Sequence, residues 1–186
     1  MRYIQLITDF PYHILVMDQL FSFGTPSELA TPLGQMVKHA TDNLRLVPDW
    51  TQNLEICDHV NRRLENIDTV IKAIHRRLQD NNQNTIFLTL VLLETCMKNC
   101  GPNFHASFDR TLMDDVVKIA KSSKGTKNSE EALRLIQQWG RVFEAKRVTL
   151  PLFFDTFVGL KSRGISFPKE EENPVSGYDL ASSPKR

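Results

Sequence analysis

From about residue 27 to residue 165 the apolar positions recur three and four apart, the spacing that keeps side chains on one face of an α-helix. Turn formers and caps divide this block. SELATPLGQMVKHATDN predicts a first helix, with Pro32 tolerated only near its start, where a missing N–H costs nothing. DWTQNLEICDHVNRRL predicts a second. Asp49 caps it, and Gln52 stands three residues on, in capping-box spacing. NIDTVIKAIHRRLQD predicts a third, with Val70, Ile71, Ile74 and Leu78 apolar. NNQNTIFLTLVLLETCMKNCG predicts a fourth, stopped by Gly101 and Pro102 and apolar on most sides from Ile86 to Leu93, so it should be the central buried helix. NFHASFDRTLMDDVVKIAKSS holds one helix or two. SEEALRLIQQWGRVF gives another, with Ser129 as candidate cap and Trp139 within its apolar face. LPLFFDTFVGLKSRG gives the last, ending at Gly164, with Phe153, Phe154 and Phe157 packing it onto the rest. No segment sustains strand alternation, so the fold class is all-α, with seven or eight short helices. Short connections place consecutive helices side by side, as a bundle or a superhelix. No fixed-period repeat is present.

The ends read differently. MRYIQLITDFPYHILVM is apolar, but Asp9, Pro11 and His13 interrupt it and no A-x-A-like site follows. A secretory signal needs an unbroken apolar stretch, so residues 1–16 are expected to be an N-terminal extension of a cytosolic protein. KEEENPVSGYDLASSPKR, residues 169–186, has turn formers and charges and few apolar groups, and is expected to be a disordered tail. No run of 18 apolar residues offers a membrane span.

One helix carries an apolar residue out of line. With Trp50 at zero on a wheel, Ile56, Val60, Leu64 and Cys57 fall between about 240° and 340°, which is the core face. Trp50 and Leu54 fall at about 0° and 40°, an apolar shoulder one turn apart, with the polar Asp58 and Thr51 beyond them. Either a neighbouring helix covers this shoulder, or it is an exposed recognition patch of the kind in which tryptophan is enriched. Periodicity does not choose.

Charge and candidate chemistry change the picture little. Lys and Arg number 23 against 22 Asp and Glu, a net charge of +1, which gives no case for nucleic-acid binding. Arg62, Arg63, Lys72, His75 and Arg76 cluster along the second and third helices. They form either a solvated face or a contact for phosphoinositide headgroups. KIAKSSKGTK offers the same pair of readings more weakly. Cys96 and Cys100 share a helix face at i,i+4, but two thiols without a nearby His or further Cys pair make a poor zinc site. With Cys57 they read as buried free thiols, and neither metal nor cofactor is expected. His39, His59, His75 and His105 are scattered, Asp114 and Asp115 look exposed, and no Gly-rich phosphate loop is present, so no catalytic constellation supports an enzyme.

NLEICDHVN, LVLLETCMKNCG, LIQQWGRVF and LKSRGISFP, in that order, resemble the signature segments of VHS domains, and ETCMKNCG and NLEICD are nearest to the target-of-Myb group of endosomal adaptors. The resemblance runs from about residue 18 to 168, and Met17-Asp18 is similar to the usual domain start. It implies a right-handed superhelix of eight helices, over a domain at 17–168. It also implies a cytoplasmic adaptor in intracellular protein transport, at endosomal membranes, that binds ubiquitin or ubiquitinated cargo and other trafficking adaptors. In several VHS domains a Trp and a Leu on the second helix contact ubiquitin's hydrophobic patch, together with the outer face of the fourth helix. Trp50 and Leu54 occupy the matching positions. Two alternatives stay open. One is phosphoinositide-dependent membrane recruitment of ENTH/ANTH type through Arg62, Arg63, Lys72 and Arg76. The other is binding of acidic di-leucine sorting signals between the sixth and eighth helices, although the basic pattern of that subgroup is not recognisable here. The turn RRLENID departs from the small or Gly-Pro residues usual between the second and third helices. The second domain usual in the group is absent from this chain, which suggests a short variant or a fragment.

Overall fold

The computed structural model describes residues 28–169, and the expectations for residues 1–27 and 170–186 lie outside it. Among the described residues there are eight α-helices and no strand. They are α1 Pro32–Ala40, α2 Trp50–Arg62, α3 Glu65–Leu78, α4 Gln83–Asn99, α5 Pro102–Ser107, α6 Arg110–Ala120, α7 Lys127–Val142 and α8 Pro151–Ser162. The stretch that could hold one helix or two holds α5 and α6.

Local chemistry sets the boundaries. α1 starts later than its periodicity suggests, because Thr31 is the cap: its hydroxyl accepts from Gly34 N at 2.9 Å, and Pro32 takes the first helical position. The residues before it, Glu28–Ala30, make a 3-10 turn instead. Gly34 is required there, since a Cβ would run into the Glu28 carbonyl of that turn. Asp49 caps α2, accepting from Gln52 N at 3.0 Å, and Asp109 caps α6 through Leu112 N at 2.8 Å. Ser129 is not the cap of α7. Thr126 holds that place, accepting from Ser129 N at 3.3 Å, while the buried Ser129 hydroxyl donates to Ala120 O at 2.9 Å and ties α7 to α6.

α4 is the central helix, as its composition predicts. It contacts α1, α2, α3, α5 and α7, and eleven of its seventeen residues are buried. Its buried threonines are satisfied within the helix, Thr89 donating to Thr85 O at 2.6 Å and Thr95 to Val91 O at 2.8 Å. Around it α1 packs on α3 and α2 on α4, so each layer overlaps the next, and α6, α7 and α8 continue the stack in order. The far end is aromatic. Phe143 and Phe153 stack at 4.5 Å, and Trp139 and Phe108 meet edge-on at 5.5 Å. Trp139 and Phe153 are buried, and Phe157, half-buried like Phe154, packs against the core at Gly140 while Phe154 does not join it, so the last helix uses two of its three phenylalanines for docking. Gly164 takes φ +77, ending the α8 segment in the left-handed turn that favours glycine.

Candidate functional site: the outer shoulder of α2

α2 buries Ile56, Cys57 and Val60, three of the four residues on the wheel's core face. The fourth, Leu64, is 63% exposed. The helix ends at Arg62 and Arg63 is extended, so Leu64 has left the α2 wheel and stands at the start of α3. Asn53 also points inward and is buried.

The shoulder is uncovered. Trp50 is 58% exposed and Leu54 48%, on the first two turns of a helix whose adjoining face is locked in the core. Its base is held by charge: Asp49 caps the helix and also meets Arg45 at 2.8 Å. Gln52 does not complete a capping box. Its side-chain oxygen lies 2.5 Å from His39 Nδ1, joining α1 to α2.

The loop between α1 and α2 adds a feature that periodicity missed. Leu44, Leu46 and Val47 are exposed, Leu46 almost completely. They stand just ahead of Trp50 in sequence. The loop is anchored: Asn84 of α4 donates to Asn43 O at 2.9 Å and to Arg45 O at 2.8 Å, and Arg45 Nε donates to His39 O at 2.7 Å. The signal was present as three large apolar residues in seven, NLRLVPD, but a loop has no period to reveal which way they face. α4 offers little open surface beside this: Asn84, Phe87, Glu94 and Lys98 are half-buried. Phe87 lies under the Lys127 ammonium, 3.4 Å from the ring centre. Burial pushes the Glu94 carboxyl up, but hydrogen bonds from Arg134 and Lys98 outweigh it and hold the group below its usual range.

The basic cluster is largely self-neutralised. Lys72 sits 2.7 Å from Asp68, Arg63 3.9 Å from Glu65 and Arg62 4.0 Å from Asp58. The Asp68 hydrogen bond holds the Lys72 ammonium above its ordinary range. His75 turns to Asp115 at 2.5 Å, which places Asp115 against α3 rather than in open solvent. Arg76 is exposed beside a shallow cleft of about 390 Å³, whose lining includes Asp80 as well as Arg77. Arg77 itself is committed, donating to Thr41 O at 2.6 Å and Asp80 at 2.9 Å.

The cysteines are also placed differently from their spacing. Cys57 of α2 joins Cys96 and Cys100, and the three buried sulfurs lie within 4.8 Å of one another. Hydrogen bonds from Cys100 and then Cys96 push the Cys57 thiol down, against burial. Bonds with Cys100 and Cys57, and burial, push Cys96 up, and Cys100 is raised chiefly by Cys57. A helix wheel treats one helix at a time, so the third thiol could not be found from it.

With this geometry in place, comparison with known proteins assigns the family. The VHS domain profile matches residues 27–164. TOM1-like protein 2 of Mus musculus is 38% identical over 161 residues, 84% of this chain and 31% of its own length. TOM1-like protein 1 of Arabidopsis thaliana is 36% identical over 146 residues, 78% of this chain and 36% of its own length. Target of Myb1 membrane trafficking protein of Mus musculus is 30% identical over 161 residues, covering 84% and 32%. This chain thus spans about a third of the length of these relatives. Among solved structures, the VHS and FYVE tandem domains of Hrs, a protein involved in membrane trafficking and signal transduction, superpose with a TM-score of 0.69 at 27% identity, covering 76% of this chain and 65% of that one. The eight-helix stack, the ordered signature segments and these relatives lead to one conclusion: the chain belongs to the VHS domain family, within its target-of-Myb group.

Proposed function

We infer that this chain is a non-catalytic adaptor module of intracellular protein transport, which binds ubiquitin on membrane cargo through Trp50 and Leu54. The observation that carries this reading is the exposure of an indole and an isobutyl group one turn apart, beside the face that fixes the helix in the core. A rigid apolar pair loses little conformational entropy on docking, which favours it as an anchor. The relatives' names point the same way, since one is called a membrane trafficking protein and the Hrs structure carries the same description. The proposed location is the cytoplasmic face of endosomal membranes, reached through other proteins. No helix among the described residues is long and apolar enough to cross a membrane. So small a patch binds weakly, so retention of cargo depends on several modules engaging together.

The phosphoinositide alternative has less support. Three of its four cations, Arg62, Arg63 and Lys72, face acidic neighbours one turn or less away, which lowers the field an anionic surface would meet. The di-leucine alternative has less support because the basic pattern that the acidic group of such a signal would need is not recognisable in EEALRLIQQWGRVF and FFDTFVGLKSRG.

Titration of isotope-labelled protein with ubiquitin tests the reading. Shifts are expected on the first two turns of α2 and in the 43–48 loop. Trp50→Ala should weaken binding by about 2 kcal/mol, roughly thirtyfold, while Lys72→Ala leaves it unchanged. Equal binding by a folded Trp50→Ala variant would exclude this surface.

A further inference from the structure

We propose that Cys57, Cys96 and Cys100 form a binding site for one thiophilic cation of the zinc type, bridging α2 and α4. Tetrahedral zinc–thiolate bonds of about 2.3 Å hold their sulfurs about 3.8 Å apart. Cys57 Sγ and Cys96 Sγ are 3.9 Å apart, and all three sulfurs fall within 4.8 Å of one another. Small side-chain rotations therefore bring the set to metal-binding distances without moving either helix.

The surroundings suit a cation. Cys96 and Cys100 lie in the last turn and at the C-cap of α4, where the helix dipole presents its negative end. Asp58 follows Cys57 and adds negative charge nearby. The helices are already fastened at this level, since Asn61 of α2 donates to Asn99 O of α4 at 2.9 Å, and the Cys96–Cys100 turn is itself closed by Cys100 N donating to Cys96 O at 2.8 Å. Ligands held on two fastened helices lose little freedom on binding, and that preorganisation favours the metal.

Binding is an exchange of ions. A divalent cation enters, the three thiols release their protons to solvent, and water completes the fourth position. The bound site carries a charge of one minus. Because the ion ties α2 to α4, it stabilises the helix on which Trp50 and Leu54 stand, but the proposal does not depend on what those residues bind.

Cobalt(II) is the probe. The reduced, metal-free 186-residue chain is titrated with Co²⁺ and read by absorption, then with Zn²⁺ in competition. The expected result is a near-ultraviolet thiolate charge-transfer band that saturates at one equivalent and collapses when Zn²⁺ is added. The chain contains three cysteines, so a thiolate band reports these residues and no others, without any variant. Cys57→Ala and Cys100→Ala, checked for helicity by circular dichroism, should each bind more weakly by more than the roughly 10- to 100-fold that losing a second-sphere partner causes. No thiolate band from the folded wild-type chain would overturn the proposal. So would a band of undiminished affinity in folded Cys57→Ala, since Cys96 and Cys100 would then bind alone.

Discussion

At the scale of single residues, His105 couples this fold to pH. It is buried, its Nε2 donates to Met97 O at 2.9 Å, and its ring meets Phe143 edge-on at 5.0 Å. Burial pushes its pKa below the ordinary 6.5, more strongly than the Met97 carbonyl raises it. The folded state therefore favours the neutral ring, while the unfolded chain takes up a proton near 6.5. Stability from this residue is complete above that value and is lost as pH falls from it towards the lowered folded value. The thermal unfolding midpoint should drop between about pH 7 and pH 5. His105→Gln, which keeps a donor for Met97 O but does not titrate, should flatten that part of the profile. The same scale explains a misreading of the sequence. Ser129 has a cap's chemistry, but its hydroxyl serves Ala120 O, so Thr126 takes the cap.

At the scale of elements, the seam between α7 and α8 depends on one missing side chain. A Cβ on Gly140 would overlap the Cβ and ring of Phe157, and neither can move aside without shifting α8. Gly140→Ala should therefore destabilise the protein by about 1–3 kcal/mol, despite alanine's better helix propensity, as denaturant unfolding would measure. Elements were largely legible in the sequence because each amphipathic helix carries its own period. α4 could be recognised as central because it lacks a polar face. What stayed hidden depends on pairs of elements: the late start of α1 beneath the Glu28–Ala30 turn, the departure of Leu64 from the α2 wheel, and the arrival of Cys57 beside Cys96 and Cys100. The shoulder lay between these cases. Its angle on the wheel was readable, but whether a neighbour covered it was a question about another helix.

At the scale of the whole molecule, one buried helix organises five of the other seven around it. α4 places Cys96 and Cys100 at one end and Asn84 at the other. The Asn84 end matters for the proposed ubiquitin surface, because its amide holds the loop that carries Leu44, Leu46 and Val47. Both bonds come from one side-chain nitrogen. Asn84→Ala should leave the helical signal intact while amides 43–48 exchange with deuterium faster than in wild type. Weaker ubiquitin binding should accompany that change if the loop shares the surface. The one atom through which α4 grips the loop, alongside the Arg45 contact to His39, is also a point of control. A change at position 84 alone resets how firmly α4 presents the loop, with every outward-facing residue left in place.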